Sequence, residues 1–519
     1  MKTNFSRAKK YYITGRDITL EEIHDISHAK PGEVIVEISP EALKATQIAR
    51  DFVHKVVDEG KPVYGINTGF GALSDKFINK DDLAELQVNL VRSHCTGVGR
   101  PFHMVITRAI MLLRANCLAQ GHSGVNPEII QLLLDFINYG ITPIVPEKGS
   151  VGASGDLAPL SHIALNLIGE GQVIFEGKEI GANLAINSIG KKPAVLGPKD
   201  GLALINGTAV MAALGSLALH RANSLIKIAD ISSCLTLEAV RGSRQAYHQG
   251  ITALKPHPGQ IECCDNLNRL LVNSEVSESH KDCNKVQDPY SLRCVPQVHG
   301  ACRQTLKHAL DVFQVEINSV TDNPLIFPET GEIISGGNFH GEAVAMCMDY
   351  LAIGLAELCN ICERRVEKMM NPIFSELPPF LIEDSGLNSG LMIAQVTLAA
   401  LASENKYLCH PASVDSIPTS TDKEDHVSMG VTSGRKLIEV LDNLKYGLSI
   451  EILCNTQALE FLKPLKPASP LVPVYDLVRM HVTPIVKDRV LSKDIESIKK
   501  LIESNEILKV VEQEIGPLR

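Results

Sequence analysis

Residues 149–162 read GSVGASGDLAPLSH, and within them Ser154 stands between Ala153 and Gly155, among residues with almost no side-chain bulk. Three readings fit a serine so placed. A hydrolase nucleophile elbow needs G-x-S-x-G on a strand-to-helix turn; Gly152 and Ser154 fit, but Asp156 occupies the place of the last glycine and no parallel sheet is expected around it. A structural reading makes the stretch a tight loop capped by Asp156 ahead of the helix LAPLSHIALNLIG. The third reading is an electrophile made from backbone. Side chains supply nucleophiles, acids and bases but no good carbon electrophile, so eliminations that need an electron sink recruit a cofactor. If the Gly155 amide nitrogen attacks the Ala153 carbonyl carbon and two waters leave, the second across the Ser154 side chain, the product is a five-membered ring bearing an exocyclic methylidene. Such a closure demands small neighbours: Gly155 leaves its nitrogen unshielded, Ala153 adds only a methyl, and Ser154 supplies the departing hydroxyl. Judged on the loop alone the structural reading is favoured, and spacing alone does not prove the third.

The elements that must position this loop are mostly helices. In SPEALKATQIARDFVHKVVDEG, Ser39 caps, Pro40 takes the first turn, apolar residues recur at helical spacing and Gly60 closes; NPEIIQLLLDFINYG repeats the pattern from Asn126 to Gly140. Further helical patterns cover roughly 81–95, 101–120, 202–240, 300–320, 340–370, 390–408, 427–455 and 488–515. Strand signals are few, the clearest being a hairpin in GQVIFEGKEI around Glu176 and Gly177. The chain therefore reads as mainly α: a long-helix bundle with a smaller amino-terminal domain carrying Gly-rich loops. The Gly-, Pro- and Lys-rich segment 169–201 suggests the internal boundary, giving domains 1–203 and 204–519.

Composition narrows the function class. At 519 residues, 45% hydrophobic and 21% charged, the chain is globular, and a net charge of -10 without a basic run argues against a nucleic-acid surface. Thirteen cysteines without disulfide-framework spacing point to reduced thiols and a cytoplasmic setting, and the amino terminus lacks a signal-type apolar core. The uncharged segment from Gly201 to Leu219 has the length of a membrane span, but its Asn206, Gly207 and Thr208 favour a helix buried in a bundle, and no membrane partner is expected. Cys359 and Cys362 form C-x-x-C with no second pair, so they read as buried thiols; neither a phosphate loop nor H-E-x-x-H occurs.

Ten stretches occur in the order found in one family: YGINTGFG, SHCTGVG, GSVGASGDLAPLSH, LINGT, QDPYSLRCVPQVHGA, TDNPLI, GGNFHGEAVA, ERRVEKMMNP, ASENK and KEDHVSMG. The chain resembles the aromatic amino acid ammonia-lyases from about Ile18 to the last hundred residues. The resemblance implies a fumarase/aspartase-like helical fold and a 4-methylidene-imidazol-5-one (MIO) formed autocatalytically from Ala153, Ser154 and Gly155, with no metal or external coenzyme. It implies removal of ammonia from an α-amino acid to leave a trans-α,β-unsaturated acid, in a homotetramer whose sites take residues from more than one chain.

Site roles follow from the same resemblance. Tyr64, in VYGINTGFG, becomes the candidate base for the β-proton; on sequence alone it is equally a tyrosine anchoring a close-packed mobile loop. A phenol is a poor base at its reference pKa of about 10, so that role needs a stabilised phenolate. Arg293 would clamp the substrate carboxylate through its planar fork, with Tyr290 and Gln287 on the same side if the segment is helical or tightly coiled. Asn206 is expected to open the uncharged helix and stand beside the ring and the substrate amino group, Phe339 to line the pocket, and Asp156 to help polarise the closing loop.

Two positions bear on substrate choice. His94 aligns with the residue that meets the substrate ring, where phenylalanine-acting relatives have an apolar side chain. Glu424 stands where phenylalanine and tyrosine lyases carry glutamine; a carboxylate accepts from an imidazole N–H but is a costly neighbour for a bare phenyl ring. Together they favour L-histidine, giving trans-urocanate, with Met392 packed against the imidazole. Glu424 is also the runner-up base. Lys423, Cys95 and Thr96 depart from the common pattern beside these positions. Rival readings are a tyrosine or phenylalanine lyase, an aminomutase, and an inactive helical scaffold.

Overall fold

A computed structural model describes residues 7–60, 62–73, 75–282 and 286–519. Helices dominate, and they begin and end where local chemistry directs. Ser39 accepts from the Ala42 amide at 3.1 Å to open Pro40–Glu59, and Asn126 accepts from the Glu128 amide at 3.0 Å to open Pro127–Tyr139. The hairpin forms as expected, Gln172–Phe175 against Lys178–Gly181 with Val173 opposite Ile180, and Thr142–Pro143 adds a third strand.

Tertiary contacts group the chain into two compact units. The first holds residues up to His220 together with Leu310–Asp349 and Pro411–Arg435; the second holds Arg221–Ala309, Tyr350–His410 and Lys436–Arg519. The chain is thus not divided once near 203, as composition suggests. Four of the crossings lie inside the long helices Ala209–Ala239, Val295–Glu316, Glu342–Met370 and Gly430–Glu460. A continuous helix carries no Gly, Pro or charge signal at such a point. The Gly- and Pro-rich 169–201 segment instead supplies the hairpin and a short helix, Ala182–Ser188, within the first unit.

Other expectations are refined. The pattern at 202–240 is two helices, Asp200–Ile205 and Ala209–Ala239, with Asn206 capping the end of the first rather than opening the second. The pattern at 488–515 is likewise two, Ser492–Glu503 and Glu506–Ile515, separated where Asn505 turns left-handed. A parallel pair, Lys9–Ile13 with Val34–Ile38, bridged by helix Leu20–His28, carried no clear sequence signal. Residues 201–219 are buried throughout. Ala209–Ala239 and Glu342–Met370 are long and apolar enough to cross a membrane, and the apolar stretch of each is mostly buried inside the protein.

The second unit is held by a buried ionic network on its long helices. Asp230 meets His299 Nδ1 at 2.7 Å, Asn266 Nδ2 at 2.9 Å and the Arg303 guanidinium. Arg365 pairs twice with Glu451, one contact at 3.0 Å, and lies 3.3 Å from His299 Nε2. Burial alone would raise the Asp230 carboxyl, but Arg303 and His299 hold it well below the usual range. Cys359 and Cys362 are buried nearby on Glu342–Met370, where burial pushes the Cys359 thiol up to about 12.

Candidate active site

The Ala153–Ser154–Gly155 loop is held on two sides within the first unit. On one, Met429 donates to Val151 O at 2.9 Å, the Ser428 hydroxyl donates to Gly152 O at 3.3 Å, and Ala153 packs against Val427 and Met429. On the other, Gly155 lies alongside Gly207 as a short parallel bridge: Asp156 N donates to Gly207 O at 2.8 Å, and Gly207 N donates to Ser154 O at 3.2 Å. Gly155 has φ +74°, and a Cβ there would sit 2.2 Å from Gly207 O. Gly207 has φ +138°, and a Cβ there would meet Thr321 O at 2.1 Å. Both close approaches require glycine. This backbone pairing is also what interrupts the long apolar run at Asn206–Thr208.

Asp156 follows the loop and is wholly buried. It precedes helix Leu157–Leu167 but makes no cap bond to it. Its carboxylate instead accepts from the Val210 and Met211 amides at 2.9 and 3.0 Å, at the start of Ala209–Ala239, and from the Ser150 hydroxyl at 3.1 Å. Burial pushes its pKa up to about 7; the Met211 amide, Ser150 and the Val210 amide pull the other way, while Glu316 adds to the rise.

Asn206 is buried and its Nδ2 donates to Asp322 Oδ1 at 3.0 Å and to Asn323 O at 3.1 Å. Asp322 in turn pairs with Lys199 Nζ at 2.8 Å, both side chains fully enclosed, and burial lowers the lysine pKa. The amide is therefore oriented by a buried ion pair.

Glu424 reaches the loop from a turn in which Thr419 and Glu424 exchange backbone hydrogen bonds at 2.9 and 3.3 Å. Its Oε1 accepts from Ser154 Oγ at 3.1 Å, while Oε2 accepts from Thr419 Oγ1 at 2.6 Å and Ser420 Oγ at 3.1 Å. Tyr64 lies within electrostatic reach of Glu424 and Asp322. Burial raises its phenol pKa and both carboxylates add to the rise, with only a hydrogen bond from the Gly71 backbone opposing. The first unit by itself thus holds Tyr64 protonated, the reverse of what a base needs.

His94 ends helix Leu83–His94, half-buried, with Nδ1 2.8 Å from Leu90 O. That carbonyl requires the proton on Nδ1, which leaves Nε2 as an acceptor in the neutral ring. Phe339 is half-buried in the loop between strand Glu332–Ile334 and helix Glu342–Met370.

The remaining sequence candidates belong to the second unit. Tyr290 and Arg293 share a one-turn helix, Tyr290–Arg293, with the guanidinium 4.5 Å from the Tyr290 ring centroid. Tyr290 is 70% exposed, and Arg293 Nε is shielded without a hydrogen-bond partner. Gln287 is exposed in the irregular stretch before this turn, so the one-turn helix carries Tyr290 and Arg293 but not Gln287. Met392 is half-buried at the first position of helix Met392–Leu408.

A family model for aromatic amino acid lyases matches residues 18–480. The chain belongs to the aromatic amino acid lyase family. Within that family it is 49% identical over 499 residues to a histidine ammonia-lyase from Myxococcus xanthus, covering 96% of this chain and 98% of the relative. The crystal structure of histidine ammonia-lyase from Trypanosoma cruzi superposes with a TM-score of 0.90 at 41% identity, covering 97% of this chain and 95% of that one. Tyrosine aminomutase from Streptomyces globisporus superposes at 0.92 with 37% identity, covering 98% and 100%. These aromatic amino acid lyase matches extend over both units. Asp322, Lys199, Ser150 and Thr419 also support the site and are not singled out by sequence; Asp322 and Ser150 lie in TDNPLI and GSVGASGDLAPLSH, whereas a buried lysine leaves no sequence signal.

Proposed function

We propose that the protein releases ammonia from L-histidine to leave trans-urocanate, using MIO made from Ala153, Ser154 and Gly155. It is a carbon–nitrogen lyase acting on a small amino acid. The observation that carries the histidine reading is the Glu424 carboxylate 3.1 Å from Ser154 Oγ: an acceptor for an imidazole N–H stands beside the residue that would bear the methylidene.

The loop fits the group. Its three residues are small, Gly155 is already in a compressed left-handed turn against Gly207, and the Glu424 carboxylate beside the Ser154 hydroxyl could carry the proton lost from Ser154 Cα to the departing hydroxyl, so that it leaves as water. When formed, MIO supplies the electrophilic carbon that no side chain offers. The chain's own residues then bind and move protons. Asn206, held by Asp322 and Lys199, presents an oriented amide toward the substrate amino group. His94, with Nε2 free to accept, and Glu424 select an imidazole over a phenyl ring, and Phe339 and Met392 enclose it. Tyr64 takes the β-proton, with Glu424 as the alternative base. Because the first unit raises the Tyr64 pKa, that role needs a cation beside the phenol, supplied by the substrate ammonium.

Arg293 clamps the substrate carboxylate, with Tyr290 and Gln287 beside it, in a homotetramer whose sites are shared between chains. The exposure of Tyr290 supports this, as does the helix Met392–Leu408, where Ile393, Val396 and Tyr407 stand exposed on one side. The setting is cytoplasmic. Incubation with L-histidine, L-tyrosine and L-phenylalanine in turn, following the ultraviolet absorbance of each conjugated acid, tests the reading: histidine gives the dominant signal. Signal from tyrosine alone overturns it in favour of a tyrosine lyase, and a β-amino acid without net ammonia release overturns it in favour of an aminomutase. Intact mass two waters below the encoded chain excludes the inactive scaffold.

A further inference from the structure

Two motifs contain histidines that the reaction leaves unused: His340 follows Phe339 in GGNFHGE, and His426 follows Glu424 by two residues in KEDHVSMG. The fold of the first unit brings them together. His340 Nε2 lies 3.4 Å from His426 Nδ1, and the ring centroids are 5.4 Å apart. Glu342, the first residue of helix Glu342–Met370, joins them: one ring nitrogen of each histidine and one Glu342 carboxylate oxygen lie within 4.8 Å of one another. We propose that His340, Glu342 and His426 form a binding site for a divalent transition-metal cation of the zinc type.

Geometry and ligand chemistry support it independently. Two imidazole nitrogens bound at about 2.0–2.1 Å around a tetrahedral zinc stand about 3.4 Å apart, which is the separation found here. The same distance is long for a hydrogen bond between two rings. His340 Nε2 also has His426 O at 3.3 Å, again a long contact that a cation would displace with little loss. Glu342 Oε2 is the second observation: it is shielded from solvent and has no hydrogen-bond partner. An acceptor left in that state is costly, and a cation satisfies it. Moving the carboxylate oxygen into the coordination sphere needs only rotation about the glutamate side-chain bonds. His426 is exposed, so a cation and a completing water reach the cluster from solvent. Two histidines and one carboxylate leave an open fourth position, the donor set of an accessible zinc site. A bound cation would tie the segment 424–426 to the start of Glu342–Met370.

The test uses the full-length protein, stripped with chelator, dialysed and titrated with Co²⁺, then with Zn²⁺. One equivalent of Co²⁺ should give the visible ligand-field bands of a four- or five-coordinate site, and Zn²⁺ should bleach them. His340→Ala, His426→Ala and Glu342→Gln should each lower Co²⁺ affinity by at least about tenfold, with far-ultraviolet circular dichroism unchanged. If a histidine variant does not fold, Glu342→Gln decides, since it keeps the side-chain volume. Absence of ligand-field bands overturns the proposal. So does equal binding by the variants, or thiolate charge-transfer bands in the near ultraviolet, which would place the cation on cysteines.

Discussion

Asp156 in the first unit and Asp230 in the second are both fully buried, yet their carboxyls are driven in opposite directions. Asp230 is met by Arg303, His299 and Asn266, and is held well below the usual carboxylate range. Asp156 is met by two backbone amides and a serine hydroxyl, with no cation, and burial pushes it up to about 7. Desolvation is common to both; the accompanying cations decide the sign. Long helices can bring whole side chains of opposite charge into register, so the second unit buries closed ion pairs that serve packing. The first unit also closes the Lys199–Asp322 pair, but around Asp156 its loops bring backbone and small residues and leave a carboxylate near neutrality beside the candidate ring-forming triplet.

Changes in the loop should strike chemistry, and changes in the network should strike stability. The largest effect expected is that of Ser154→Ala, which removes the leaving hydroxyl: turnover falls by about 10⁴-fold or more, and mass spectrometry finds the variant at its full encoded mass. Tyr64→Phe comes next, lowering turnover by about a thousandfold while the two-water mass deficit and the melting temperature stay as in the parent. An equally large loss of mass deficit in this variant would assign Tyr64 to ring formation instead. Arg365→Met leaves Glu451 charged and unpaired in the interior and should cost about 3–4 kcal/mol of stability in denaturant unfolding. The double variant Arg365→Met, Glu451→Met should recover most of that loss; failure to do so would mean the pair is not the unit that matters.

The smallest effect is a change in pH dependence. A carboxyl whose folded pKa is raised from 3.8 to about 7 contributes stability that is fully present below about pH 4 and is lost as pH rises through about 7. Asp156→Asn cannot ionise, so between these limits its melting temperature, taken relative to the parent, should rise with pH. Parallel curves for the two proteins would show that Asp156 stays charged throughout, and the contrast with Asp230 would vanish.

Much of the helical framework was legible from local signals. Ser39–Pro40 and Asn126–Pro127 mark helix starts because a side-chain cap and a missing amide act within one turn. The break at Asn206–Thr208 was not legible, because what stops the helix is a pairing of Gly207 with Gly155, 52 positions earlier in the chain. Spacing allows Gln287 to share a side with Tyr290 and Arg293 only in a helical or tightly coiled segment, and the helical turn begins only at Tyr290. The unit boundaries were hidden for a related reason: four fall within uninterrupted helices.

Residue order alone settles that Ala153, Ser154 and Gly155 are adjacent and small enough to permit ring closure, and that most of the chain is helical, because both depend on neighbours within a few positions. Tertiary structure alone decides that Glu424 meets Ser154 across 270 positions, that Asp322 and Lys199 orient Asn206, and that Asp156 turns from its own helix to the start of Ala209–Ala239. These are charge and hydrogen-bond partnerships whose strength comes from burial, and burial exists only once distant segments have been brought together.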